Sequence, residues 1–151
     1  MRTKLIAIGN RLMGDDSAAV KAAEILSEKL KELGIEVVIG ETDFEFCLSE
    51  ADKDDFVIVM DSSGFGIEPG TVTVLDFKDI QSIGYGQGLL SQHGYSFISA
   101  LRSCFPHIEG KIIGIEGCDF ELSLSLSSEL EKEFYNICSR IEKICRGIKN
   151  I

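Results

Sequence analysis

The chain has 151 residues, with 15 Lys and Arg against 25 Asp and Glu, for a formal net charge of −10. That length predicts one domain, residues 1–151, able to bury about two-thirds of its unfolded surface and hold a core without staples. The negative field repels phosphate backbones and anionic lipid, so neither nucleic acid nor a membrane is an expected partner.

The N-terminal "MRTKLIAIGN" carries basic residues and an apolar run that breaks at Gly9-Asn10, too short for the core of a signal peptide. No apolar stretch approaches a membrane span, and the expected location is the cytoplasm. "KLIAIG" (4–9) is a continuous apolar run stopped by glycine, the pattern of a strand buried on both faces. From Asp16 to Leu33, Val20, Ala23, Leu26, Leu30 and Leu33 recur at helical spacing, and Gly34 closes that helix. "IEVVIG" (35–40) is a second strand and "FEFCLSEA" (44–51) a short helix.

"DKDD" (52–55) reads as a solvated turn before the third and most apolar strand, "DFVIVMD" (55–61). A glycine-rich loop (62–70) leads to "TVTVLDF" (71–77), a strand of alternating type, and then to "KDIQSIGYGQGLLSQ" (78–92), which lacks a period and is predicted to be a long loop. A helix is expected from about Gln92 to Ser103, ended by Pro106, followed by a buried strand in "KIIGIEG" (111–117). The last helix runs from Ser128 to about Arg146, with Ser128-Glu129-Leu130-Glu131 fitting a capping box and an inner stripe of Leu130, Phe134, Ile137, Ile141, Ile144 and Ile148. Strands alternating with helices predict a three-layer α/β domain with a mostly parallel, twisted sheet of about five strands.

The five cysteines (47, 104, 118, 138 and 145) contain no Cys-x-x-Cys pair. They are expected to be buried, reduced thiols, with Cys138 and Cys145 on one face of the last helix near Ile141 and Ile148.

The opening loop carries the chemistry. Gly9 and Gly14 have the spacing of a phosphate loop, but Asp15 and Asp16 occupy the places of its Lys and Ser/Thr, where two negative charges would repel a polyphosphate. The dinucleotide fingerprint also fails, because Ala7 stands where its first glycine belongs. Either aspartate could cap the helix that follows, yet a cap needs only one. Asp61 ends the third strand, and open α/β sheets hold their functional crevice beyond the carboxyl ends of the strands, so Asp16 and Asp61 face one cleft if strands one and three are neighbours. His93 is expected in the first turn of a helix, where the dipole favours the neutral, ligating imidazole; His107, past a helix end, reads as surface. Two carboxylates and one imidazole form a mixed oxygen–nitrogen set that suits a divalent transition ion with open positions.

"GNRLMGDD" before a helix, "VIVMD", "PGTVTVL", "SQHGYSFISAL" and "GIEGCDFELSLSLSSELEKEF" together resemble the hydrogenase maturation endopeptidases, in order and over nearly the whole chain. The resemblance implies a protease that trims the C-terminal tail from the large-subunit precursor of a nickel–iron hydrogenase after nickel insertion. It places the family's metal-site residues on Asp16, Asp61 and His93, with Asp15 supporting the loop and helix start. The nickel would arrive in the precursor, and other divalent cations are expected to occupy the site in vitro. The expected state is a monomer, and the partner is the large-subunit precursor. No His-Glu-x-x-His motif is present, which disfavours a protease with its own fixed zinc. Two departures stand out: Ser17-Ala18-Ala19 where the family usually has glycines, and "ETDFEFCLSE", with Phe44 and Phe46, where it often has a Gly- and Thr-rich turn. The alternatives are a metal-dependent hydrolase of another substrate and a non-catalytic hydrogenase-assembly chaperone.

Overall fold

Three apolar runs of the sequence become the centre of one sheet. The computed structural model describes residues 1–80 and 91–150. Its described strands are β1 (Thr3–Ile8), β2 (Ile35–Glu41), β3 (Phe56–Ser63), β4 (Val72–Asp76) and β5 (Glu109–Glu116). The described α-helices are α1 (Ala18–Glu32), α2 (Phe44–Ser49), α3 (Gln92–Cys104) and α4 (Ser128–Lys149). The strand order is β2-β1-β3-β5-β4, so β1 and β3 are neighbours, as the cleft argument required. All pairings are parallel except β4 with β5, where the alternating strand runs antiparallel along the edge.

The pleat divides each strand between two cores. Leu5, Ala7, Ile58, Met60, Ile113 and Ile115 pack against α1 and α4. Ile6, Ile8, Val57, Val59 and Ile112 face the other way, against Tyr95, Phe97, Ile98 and Leu101 of α3 and Cys47 of α2. Each fully buried aliphatic side chain contributes about 1.5–3 kcal/mol relative to exposure, and together these fix the register of the central strands. On α1, Ala18, Ala19, Ala22 and Ala23 are all fully buried, which lets the helix backbone lie close to the sheet. Among the described residues no helix is long and apolar enough to cross a membrane.

Several expectations are corrected. The first helix does not start as an α-helix at Asp16: Gly14–Ser17 form a 3-10 turn and α1 begins at Ala18. Neither aspartate caps it through a side chain. The cap of α4 is Ser127 rather than Ser128; its Oγ accepts from Leu130 N at 3.3 Å, which puts Leu130 where a capping box needs an acid. Of the expected loop at 78–92, residues 81–90 lie outside the described residues, while Phe77–Asp79 form a 3-10 turn and Gln92 opens α3.

"DKDD" is not wholly solvated. Asp55 is 4% exposed and pairs with Lys4 Nζ at 3.1 Å and Arg2 Nε at 3.4 Å. Lys4 lies in a strand covered on both sides, and a buried ammonium needs a buried counter-charge. All five cysteines are free; Cys47, Cys138 and Cys145 are buried as expected, but Cys104 and Cys118 are exposed.

Candidate functional site

The sheet's connections leave β1 and β3 in opposite directions. β1 leads to α1 on one face, whereas the chain after β3 returns through α3 on the other, so a crevice opens between the two strand ends. A cleft of about 590 Å³ sits there, lined by Asn10, Met13, Asp16, Ser62, His93 and Phe120, among others. No Lys or Arg is among its described lining residues.

The loop after β1 is built to present Asp16. Gly9 N donates to Glu41 O at 3.0 Å, and Asn10 Oδ1 accepts from Leu12 N at 2.9 Å, turning the chain back on itself. A side chain at position 9 would place its Cβ 2.0 Å from the Asp16 carbonyl oxygen, so only glycine admits this approach. Ser17 Oγ donates to Gly14 O at 2.7 Å and tightens the 3-10 turn. Asp16 then accepts from Asn10 N (2.9 Å) on one carboxylate oxygen and from Ser62 Oγ (2.6 Å) on the other.

Asp61 follows from strand alternation. Val57, Val59 and Asp61 project to the α3 side of β3, and Ser62 to the α1 side. Ser62 therefore meets Asp16, while Asp61 meets the start of α3, accepting from Ser91 N at 3.0 Å and Ser91 Oγ at 2.5 Å. Its other oxygen accepts from Ser62 N at 2.8 Å. Ser91 is itself the cap of α3, its Oγ accepting from Gly94 N. Asp61 is fully buried, and that burial, with the Asp16 charge added, pushes its carboxyl up to about 7 despite the Ser91 and Ser62 bonds that favour the anion.

His93 falls in the first turn of α3, as expected, with its ring at the cleft. It also borders a small hollow lined by Ile8, Thr42, Phe44 and Cys47, so the turn carrying Phe44 does flank the site. His107 is exposed and is not among the described residues lining this cleft.

The structure thus brings Asp16 and His93 to one cleft wall and sets Asp61 beneath it, anchored to the helix that carries His93. As the side chains stand, no three His, Cys, Asp or Glu among the described residues form a group able to hold an ion unaided. The Asp61 carboxylate is committed to Ser91 and Ser62.

Asp15 points away from all of this. Fully buried, it accepts from Cys118 N (2.9 Å), Asp119 N (3.1 Å), Ser127 N (2.7 Å) and Ser127 Oγ (2.8 Å). Burial works against its charge, but these donors outweigh it and hold the carboxyl below its ordinary range. Asp15 is therefore a lock between the first loop and the chain entering α4. The second aspartate of the pair faces the cleft; the first holds the loop that presents it.

Sequence reasoning missed Ser62, Ser91 and Asn10. Ser62 was findable, because the residue after Asp61 must face the opposite side of the sheet.

Fold and site define a doubly wound α/β protein with a histidine-edged, acid-floored crevice at its topological switch point. No protein-family model matches the chain. It is 25% identical over 122 residues to the hydrogenase expression/formation protein HupM of Azotobacter chroococcum mcd 1, across 78% of this chain and 58% of that protein. It is 28% identical over 125 residues to HupD of Rhizobium leguminosarum bv. viciae, across 80% of this chain and 61% of that protein. The chain therefore spans about three-fifths of the length of these relatives. The [NiFe] hydrogenase maturation protease HybD from Thermococcus kodakarensis superposes with a TM-score of 0.74 at 26% identity, covering 96% of this chain and 99% of that one. The E. coli hydrogenase maturating endopeptidase HybD shares the fold, with a TM-score of 0.73 at 21% identity over 93% of this chain and 90% of that one.

Over most of its length the chain is thus similar in fold and sequence to hydrogenase maturation proteases. In this light, Ala18 and Ala19 keep the small volume that fully buried positions against the sheet demand.

Proposed function

We propose that this protein is a cytoplasmic, monomeric endopeptidase that removes the C-terminal tail of a nickel–iron hydrogenase large-subunit precursor once nickel is in place. Asp16, Asp61 and His93 are the residues assigned to read that nickel and to carry the reaction. The observation supporting this most is the gathering, at the crevice between β1 and β3, of three residues far apart in the sequence: Asp16 after β1, Asp61 in β3 and His93 on α3.

The donor chemistry fits a divalent borderline ion, for which carboxylate and imidazole are suitable ligands. In this reading the metal is cargo held by the precursor's own ligands, so the protease need only fill open positions rather than form a complete cage. Asp16 keeps its carboxylate at the cleft through single bonds from Asn10 N and Ser62 Oγ, which leave lone pairs for a further partner. His93 is already exposed to the cleft. Asp61 would join by giving up its Ser91 or Ser62 bonds, and a positive charge would offset the repulsion that Asp16 exerts on it. A bound ion would supply Lewis-acid polarisation; the chain supplies orientation and a water-limited wall of Met13 and Phe120. Water adds to the peptide carbonyl, the C–N bond breaks, and the tail leaves with a new amino terminus.

The test is a paired processing assay read by mass spectrometry. A nickel-loaded precursor should lose its tail and a nickel-free one should stay whole; equal cutting of both removes nickel recognition from the reading. Asp16→Ala, Asp61→Ala and His93→Ala should each abolish the mass loss while circular dichroism shows a folded chain. Stable complex formation with no mass change would instead mark an assembly chaperone.

A further inference from the structure

Exposed large apolar side chains are unevenly placed on this protein. Leu12 (53% exposed) lies in the loop after β1, Phe44 (38%) and Phe46 (41%) in α2 after β2, and Phe120 (38%), Leu122 (79%) and Leu124 (72%) in the segment after β5. All six follow the carboxyl end of a strand that runs parallel to β1, so they crowd the sheet end that carries the candidate cleft. Phe120 lines that cleft directly, and Phe44 lines the hollow beside His93.

The segment after β5 is held in place rather than trailing. Met13 and Ser123 form a parallel bridge, Gly14 N donates to Ser123 O at 3.0 Å, and Ser123 N donates to Leu12 O at 2.8 Å. The pleat around that bridge turns Leu12, Leu122 and Leu124 to the face opposite Met13 and Ser123. The Asp15 lock secures both ends of this ribbon, at Cys118–Asp119 and at Ser127. An ordered backbone that displays two leucines more than two-thirds exposed is a surface built to be covered.

We infer that this apolar collar is the docking surface for the protein substrate, and that its occupant is a polypeptide segment of apolar residues interleaved with Lys or Arg. The inference rests on the proposed function for the identity of the substrate but not for the existence of the surface. Charge selects the occupant. Acids interleave two of its three segments: Asp43 and Glu45 beside Phe44 and Phe46, and Asp119 and Glu121 beside Phe120 and Leu122, while Lys21 is bonded to the Leu124 carbonyl. The neighbouring Arg11 is already bonded to Glu24 and Glu41. A second copy of this chain would bring the same acidic rim and a net charge of −10 to the contact, which opposes self-association.

The experiment uses the full chain and a Leu122→Asp/Leu124→Asp double variant, with Phe44→Asp as an independent change on the opposite rim. Each alters exposed side chains, and circular dichroism checks folding. Two probes are used: a nickel-loaded hydrogenase large-subunit precursor, and a fluorescent peptide alternating Leu with Lys beside a counterpart alternating Leu with Glu. The collar predicts that the double variant raises KM for the precursor about tenfold or more while kcat stays within about twofold, as expected for losing contact residues that do not line the cleft. It also predicts that the parent binds the Leu–Lys peptide in preference to the Leu–Glu one, and that added salt weakens this binding. Unchanged KM in both variants, equal binding of the two peptides, or a parent dimer that the double variant dissolves would each overturn it. A precursor that is bound through the collar but never shortened would sink the protease reading and leave the docking surface standing.

Discussion

Asp15→Asn isolates the lock from the cleft. The carboxylate accepts four hydrogen bonds, three on Oδ2 (Cys118 N, Asp119 N, Ser127 Oγ) and one on Oδ1 (Ser127 N). An amide of the same shape keeps at best one acceptor oxygen. Placed at the Oδ2 position it retains three bonds but strips each of its charge assistance, worth about 1 kcal/mol apiece. Its NH2 then faces Ser127 N, donor against donor, and a buried donor left unpaired costs about 1–3 kcal/mol. Relief from burying a charge offsets part of this, so the net loss is about 3 kcal/mol. The assay is urea unfolding near neutral pH, where the midpoint should fall with an unchanged slope; the thermal midpoint should drop by about 10 °C for a domain of this size. Because the donors hold Asp15 below its ordinary 3.8, its stabilisation is present above that value and is lost as pH falls through the lower folded value. The gap between parent and variant should therefore close in acid. A loss under about 1 kcal/mol at neutral pH would refute the claim that Asp15 ties the two segments together.

Three further outcomes follow from the same geometry. Asp61 titrates near 3.8 when unfolded and about 7 when folded, so its contribution is full below 3.8 and is lost as pH rises to about 7; parent stability should decline across that window by up to about 4 kcal/mol, and Asp61→Asn should flatten the decline in urea titrations. Asp55→Ala strands the buried Lys4 ammonium and should cost about 3–5 kcal/mol by the same measurement, whereas a loss like that of a surface acid would contradict a buried pair. Gly9→Ala forces a Cβ against the Asp16 carbonyl oxygen and should lower stability by about 2 kcal/mol or more while reducing processing, and an unaffected variant would show that the loop approach is not required.

How far the sequence carried depended on whether the decisive interaction was local. The apolar runs of β1 and β3 were legible because strands buried on both faces leave no polar alternation to misread. β3 nevertheless extends past the expected end at Asp61 to Ser63, since pairing with Ile115 and Glu116 of β5 buries two serines that composition alone assigns to a loop. The antiparallel direction of β4 was not legible, because alternation marks an edge but not the sense of the chain. Of the candidate site, the neighbouring of β1 and β3 follows the topology argument, and Asp16 and His93 line the cleft at those strand ends. Asp61 lies where strand alternation puts it, yet its bond to Ser91 was hidden, for it joins positions 30 residues apart. Asp15 was hidden more deeply. Its partners are more than 100 residues away, and the local cap preference pointed to a role it does not play.

The most direct test of the account is to locate a divalent ion on the protein by anomalous diffraction from crystals soaked in nickel. The account predicts one ion at the crevice between β1 and β3, bonded to a carboxylate oxygen of Asp16, a carboxylate oxygen of Asp61 released from Ser91, and a ring nitrogen of His93. An ion held there without Asp61 or His93, or nickel bound only elsewhere, would contradict it.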